Sequence, residues 1–312
     1  MSGARGVFVG LTTVDLIHRV AHPVSTNEKV TALDQEIVAG GPAANAAITF
    51  ALLGGDAVLV TDLGSHPLAE LARHDMSAYG VTVRAVEPDN PVTPAVSAIR
   101  VLDGTGERSV VSVNAAARTV GAPAWLPSVL DGAAVLLLDG HHPLLAVAAA
   151  RAARERGLPV MLDAGSWKPV LDELLPLVDV AICSADFRLP PAHPGSGVDL
   201  DAVGSGLRAR GVLRVAITRG PDPVLWWSGR PDEQHDPGRS AFEHVVLVPS
   251  VRVRDTLGAG DVFHGSFAWH LADRPDRHFA RQLARAATEA AQRCEFVGIS
   301  SWRNHLRNRL DH

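Results

Sequence analysis

Apolar residues fall along this chain in two alternating rhythms. Short apolar runs at 7–11, 58–63, 135–138, 159–162, 180–183 and 212–218 read as strands, several without an alternating polar side. A strand covered on both faces has no polar side to show. Between them, stretches at 43–53, 68–79, 144–156, 170–177 and 202–210 carry apolar residues at helical spacing. Strand and helix in turn build a doubly wound, mostly parallel α/β sheet. Two segments break the rhythm. Residues 16–20 and 31–38 read as short, partly exposed strands, and 95–102 and 107–113 flank a hairpin signal, Asp103-Gly104-Thr105-Gly106. These clusters, over 12–38 and 92–115, predict a small β-sheet lid on a single domain spanning 1–312. Near the end, Val245, Val246, Leu247, Val248, Val251 and Val253 read as a strand leading into a helix that begins near Gly260. Helices at 279–296 and 302–310 follow, and the Pro/Gly-rich stretches 189–197 and 229–240 read as loops.

Composition sharpens this picture. Hydrophobic residues make up 46 % and aromatics only 5 %, so the core must be mostly Ala, Val and Leu. The net charge is −5, with no basic block except 303–309 at the C-terminus; nothing argues for a nucleic-acid partner. Cys183 and Cys294 lie too far apart in sequence to suggest a disulfide framework, which fits a reduced, cytoplasmic setting. No run of apolar residues is long enough to span a membrane, and the N-terminus leads almost directly into a strand.

The candidate chemistry clusters at two glycine-rich helix starts. Gly258 and Gly260 stand where strand gives way to helix, so backbone amides can approach a ligand and the helix N-terminus adds positive partial charge. That is an anion site. Asp261 sits at the same point, where a carboxylate can take a proton from a hydroxyl beside the phosphate. Taken alone, the stretch reads equally well as an ordinary glycine-rich turn. The other start is Gly40-Gly41-Pro42, with Asn45 one turn in and Asp15 just past the first strand. Other chemistries lack their motifs. The only lysines are Lys29 and Lys168, so there is no P-loop; no G-x-G-x-x-G follows the first strand, and H-E-x-x-H, C-x-x-C and G-x-S-x-G are absent.

Taken together, Gly40-Gly41-Pro42-Ala43-Ala44-Asn45 and Asp255-Thr256-Leu257-Gly258-Ala259-Gly260-Asp261 resemble the two signatures of the ribokinase-like (PfkB-type) sugar kinase family. Residues 262–267 are similar to the continuation of the second signature. The resemblance implies a Rossmann-like core and a β lid that covers the sugar and often forms a homodimer interface. It implies transfer of phosphate from ATP, with Mg²⁺, to a hydroxyl of a small sugar or sugar-like acid. Asp261 is then the base, and the amides of Gly258, Ala259 and Gly260 are the anion hole. Asp15, Gly40, Gly41 and Asn45 are sugar contacts, with Asp139 or His141 as a further one. Thr218, Gly220, Ser184, Gly258, Gly260, Cys294 and Gly298 line the nucleotide, and a monovalent cation (K⁺) sits near Asp255.

Two departures stand beside it. The family's N-x-x-E, which helps hold Mg²⁺ through water, reads Ser184-Ala185-Asp186-Phe187 here, leaving Asp186 as a partial substitute. Ketohexokinase-like members also lack the Asn. The second glycine after T-x-G is missing, since Pro221 follows Gly220. A nucleoside kinase of the same fold is a second reading, against which the scarcity of aromatics for base stacking counts. A ligand sensor or assembly subunit is a third, motivated by the altered 184–187 stretch.

Overall fold

The computed structural model describes residues 3–115, 118–191, 197–229 and 245–310. In chain order the first strands are β1 (Arg5–Val9), β2 (Thr13–Val20), β3 (Asp34–Gly40), β4 (Asp56–Thr61), β5 (Val81–Ala85), β6 (Ala95–Leu102) and β7 (Arg108–Ser112). The rest are β8 (Val135–Leu138), β9 (Val160–Ala164), β10 (Val180–Ser184), β11 (Arg214–Arg219), β12 (Asp222–Ser228) and β13 (Val245–Val246). The helices are α1 (Pro42–Leu52), α2 (Pro67–Ala78), α3 (Leu126–Val129), α4 (Pro143–Glu155) and α5 (Leu171–Leu174). They continue as α6 (Leu200–Ala209), α7 (Ala259–Asp273), α8 (Phe279–Arg293) and α9 (Ile299–Leu310).

The large sheet runs β13-β12-β11-β10-β9-β8-β1-β4-β5. From β11 to β5 every pairing is parallel; β12 and β13 join antiparallel at one edge. Both faces are covered, and the two-residue period of a strand splits each one between them. Phe8, Leu137 and Ile182 pack toward α1, α7 and α8, while Val7, Val9, Leu136, Leu138 and Ala181 pack toward α4 and α6. Burying such a side chain stabilises by roughly 1.5–3 kcal/mol, so two filled faces hold the sheet rather than any single contact.

The second sheet runs β3-β2-β6-β7. Ile17, Val38, Ile99 and Val101 form its inner face with Ile299 of α9, and Leu257 packs against them. Its other face leaves Ile37 and Val111 exposed, and on the edge strand β7 Val110, the partner of Ile99, is exposed as well. At the tip of the β6–β7 hairpin, Gly106 has φ +71°, and a Cβ there would stand 2.8 Å from the Asp255 Cα. The tip therefore rests on the loop that enters α7. Thr256 N and Oγ1 both donate to Gly106 O, at 3.4 and 3.0 Å.

The long strand predicted before α7 is cut to Val245–Val246, and 247–253 has no regular structure. Pro249 lacks the N–H a further ladder bond would need, and Leu247 and Val253 are exposed. β12 was unforeseen: the apolar run 224–227 pairs back on β11 through a tight turn at Gly220. Residues 230–240 of one predicted loop and 192–196 of the other lie outside the described residues. Among the described residues no helix is long and apolar enough to cross a membrane.

α1 and α7 pack closely at Gly265, where a Cβ would come within 2.3 Å of Ala46 O and 2.8 Å of Thr49 Cβ. Gly265→Ala must therefore push the helices apart. We expect it to lower unfolding stability by about 1–3 kcal/mol in urea titration; an unchanged midpoint would contradict this close packing.

Candidate active site

The N-termini of α1 and α7 meet at the end of β1, and their side chains bond across 216 positions of sequence. Asn45 Nδ2 donates to Asp261 Oδ2 at 2.6 Å. The backbone at α1 allows this only with glycine. Gly41 has φ +96°, and a Cβ there would stand 2.4 Å from Leu11 O. A Cβ at Gly40 would fall 2.0 Å from Asp15 Oδ2, so its absence leaves room for that carboxylate. Asp15 is buried on β2 and accepts from Thr13 Oγ1 at 2.5 Å. Burial pushes its pKa up, against the pull of the Thr13 and Ser97 hydroxyls and the Arg303 charge.

Asp261 is pushed up to about 7. Burial is the largest cause and the charge of Asp163 the next; the Asn45 hydrogen bond and His264 pull the other way. His264, one turn on, brings Nδ1 within 2.7 Å of Gly260 O and Nε2 within 3.2 Å of Ile182 O, with Asp163 Oδ1 at 3.5 Å. It ties the first turn of α7 to the ends of β9 and β10.

Arg303 orients the pair from α9. It donates to Asn45 Oδ1 at 2.7 Å, to Ala39 O at 2.8 Å and to Asp75 Oδ2 at 3.0 Å. Because the guanidinium takes the Asn45 oxygen, the amide nitrogen faces Asp261. The basic tail 303–309 thus begins with a buried residue. Its signal was legible: Ile299, Trp302, Arg303 and Leu306 share one helical face, so an Arg on an apolar stripe had to have partners.

At the start of α7, Gly258 is the left-handed N-cap, with φ 74°. Ala259 N–H turns back on Thr256 O at 3.3 Å, and Val262 N–H reaches Gly258 O at 2.9 Å. Among the described residues no acceptor meets the Gly260 or Asp261 N–H. Of the expected Gly258–Ala259–Gly260 anion hole, the Ala259 amide closes the turn, while among the described residues the Gly258 and Gly260 amides meet no acceptor and that of Asp261 stands open beside them.

Across the sheet, Ser184 and Thr218 are register partners at the ends of β10 and β11. Their hydroxyls donate to Gly165 O at 3.1 Å and Cys183 O at 3.2 Å. Gly220, two residues past Thr218, and Gly260, in the first turn of α7, face open space: a Cβ at either would meet nothing within 4 Å.

Other expected residues have different surroundings. Asp139 is buried and accepts from Leu11 N (2.8 Å), Ala43 N (3.3 Å) and His141 N (3.0 Å). Its carboxylate clasps the start of α1 to the end of β1, so it is spent on backbone instead of facing a sugar. His141 is half-buried, and burial lowers its pKa, with the Lys168 charge adding to the shift and Asp139 opposing it. Asp186 is exposed, while Phe187 is fully buried against Trp167. Cys294 and Gly298 hold the loop that enters α7. Cys294 O accepts from Arg254 N (2.8 Å) and Asp255 N (3.2 Å), and Gly298 N donates to Asp255 Oδ2 at 3.0 Å. Asp255 also carries the buried guanidinium of Arg293, at 3.1 Å. The residues present therefore do not fit a monovalent ion on Asp255.

The profile of the pfkB family carbohydrate kinases matches residues 4–301. A ribokinase of Bacillus subtilis (strain 168) is 24 % identical over 294 residues, 92 % of each chain. An ATP-dependent ribose-1-phosphate kinase of Halopiger xanaduensis is 29 % identical over 265 residues, 84 % of this chain and 83 % of its own. In fold, the chain superposes on Arabidopsis thaliana ribokinase complexed with ribose and ATP with a TM-score of 0.75, at 22 % identity and over 100 % of both chains. With a family match over nearly its whole length, the chain belongs to the pfkB family of carbohydrate kinases.

Proposed function

We propose that this kinase transfers the γ-phosphoryl group of ATP to a primary hydroxyl of a small sugar, with Asp261 taking the hydroxyl proton. The observation that carries the reading is the place of Asp261: a buried carboxylate with a pKa of about 7, adjoining the open amides of α7. A base is most useful when its pKa lies near the working pH. As the acceptor oxygen bonds to the γ-phosphorus, its proton passes to Asp261 and the bond to the β–γ bridging oxygen breaks, so ADP leaves. The Gly260 and Asp261 amides, with the helix N-terminus behind them, offset charge on the transferring group. Asp15 and Asn45 fit as sugar contacts, and Arg303 positions Asn45. The named relatives make a pentose or pentose phosphate the first acceptor to test.

ATP fits the open backbone at Gly220 and Gly260 beside Ser184 and Thr218. When bound, Mg²⁺ neutralises phosphate charge. Asp163 fits as its protein anchor: a buried carboxylate at the end of β9, it stands 3.5 Å from His264 in the first turns of α7. Asp186, exposed at the end of β10, and the buried Phe187 offer less.

Asp261→Asn keeps the shape and removes the base, so we expect kcat to fall by about 10²–10⁴ with ATP still bound; near-wild-type kcat would rule out the assignment. In wild type, kcat/KM should be flat above pH 7 and fall about tenfold per unit below it, as the carboxylate takes up a proton. A profile level from pH 5 to 8 would contradict this. Because the Asn45 bond lowers the Asp261 pKa, Asn45→Ala should move that acid limb to higher pH. A limb that stays or moves lower would show that the contact does not tune the base.

A further inference from the structure

The loop that enters α7 is built around an ion pair that the reaction itself does not use. Arg293 ends α8, and its side chain is wholly buried. Its Nη2 donates to Asp255 Oδ2 at 3.1 Å and its Nη1 to Phe296 O at 2.9 Å. Asp255 also accepts from Leu257 N at 2.8 Å on Oδ1 and from Gly298 N at 3.0 Å on Oδ2. One cation thus joins the loop before α7 to the turn between α8 and α9.

A buried Asp255 without a counter-charge would set a negative charge three residues before Gly258, opposing the anion site. Something positive has to stand beside it. An alkali cation could do so with the same kind of ligand, a carboxylate and a backbone carbonyl oxygen. Here both oxygens already accept from Arg293, and a second cation beside a buried guanidinium would meet like charge with little solvent to screen it.

We propose that Arg293 is the built-in counter-cation of the phosphoryl site, so that the enzyme needs no monovalent ion. Arg293 acts through Asp255 and the loop, as a positioning residue. The proposal rests on the kinase reading for its meaning, although its first test does not. Melting temperature is measured at fixed ionic strength in the chlorides of K⁺, Na⁺ and tetramethylammonium, with and without Mg·ADP. Wild type should melt at the same temperature in all three. A saturable rise specific to K⁺ or Na⁺ would overturn the proposal.

In Arg293→Ala the site loses its own cation, and a saturable, K⁺-specific rise should appear. A folded Arg293→Ala protein indifferent to K⁺ would also overturn the proposal. Should that variant not fold, Arg293→Lys keeps the charge and must stay indifferent to K⁺; acquired K⁺ dependence there would count against it. Where a sugar is turned over, wild-type kcat in K⁺ and in tetramethylammonium should agree within twofold, and a larger K⁺ activation would contradict the inference. Absence of turnover with every sugar would instead undo the kinase reading and leave the melting result to decide about Arg293.

Discussion

The hydrogen bond between Asn45 and Asp261 is the constraint on which this site depends. It joins the first turns of two packed helices that lie far apart in sequence. A hydrogen bond to a charged group contributes about 1.5–3 kcal/mol, too little to hold two helices in place. Packing has to do that first. Gly265 lets α1 and α7 approach, Asp139 pins the start of α1 to β1, and Arg303 sets which end of the Asn45 amide faces inward. The bond follows from the frame and fixes the carboxylate within it.

The electrostatics of Asp261 are a contest between opposed effects. Burial and the nearby charge of Asp163 favour the protonated acid, whereas Asn45 and His264 favour the carboxylate. The first pair wins, and Asp261 is pushed up to about 7. A carboxylate held at its ordinary value would be ionised at neutral pH and a weaker proton acceptor. Asp15 shows the same logic: burial raises its pKa, and two hydroxyls and Arg303 work against that rise.

Much of this was legible in the sequence, for physical reasons. Strands buried on both faces appear as plain apolar runs, so β1, β8 and β10 were visible; the hairpin over Asp103-Gly104 announced itself by its turn residues. The glycines at 40, 41 and 258 marked backbone that side chains would block. What stayed hidden depends on contacts between distant segments. Asp139 looked like a residue at the mouth of a strand, yet three backbone amides use it up. Arg293 is buried with its charge on Asp255, a partner 38 positions away that no local pattern announces. The alternating apolar residues before α7 carry a strand pattern past Val246, although Pro249 among them lacks the N–H to continue the ladder.

Phosphate transfer to a sugar, as opposed to water, is the claim on which the rest stands. The most direct measurement is ³¹P NMR of Mg·ATP with the enzyme and a panel of pentoses and hexoses, alongside a sample without sugar. The account predicts ADP and a new sugar phosphomonoester in equal amounts with at least one sugar, and unchanged ATP without any. Inorganic phosphate released at the same rate with and without sugar, or ATP left intact throughout, would contradict it.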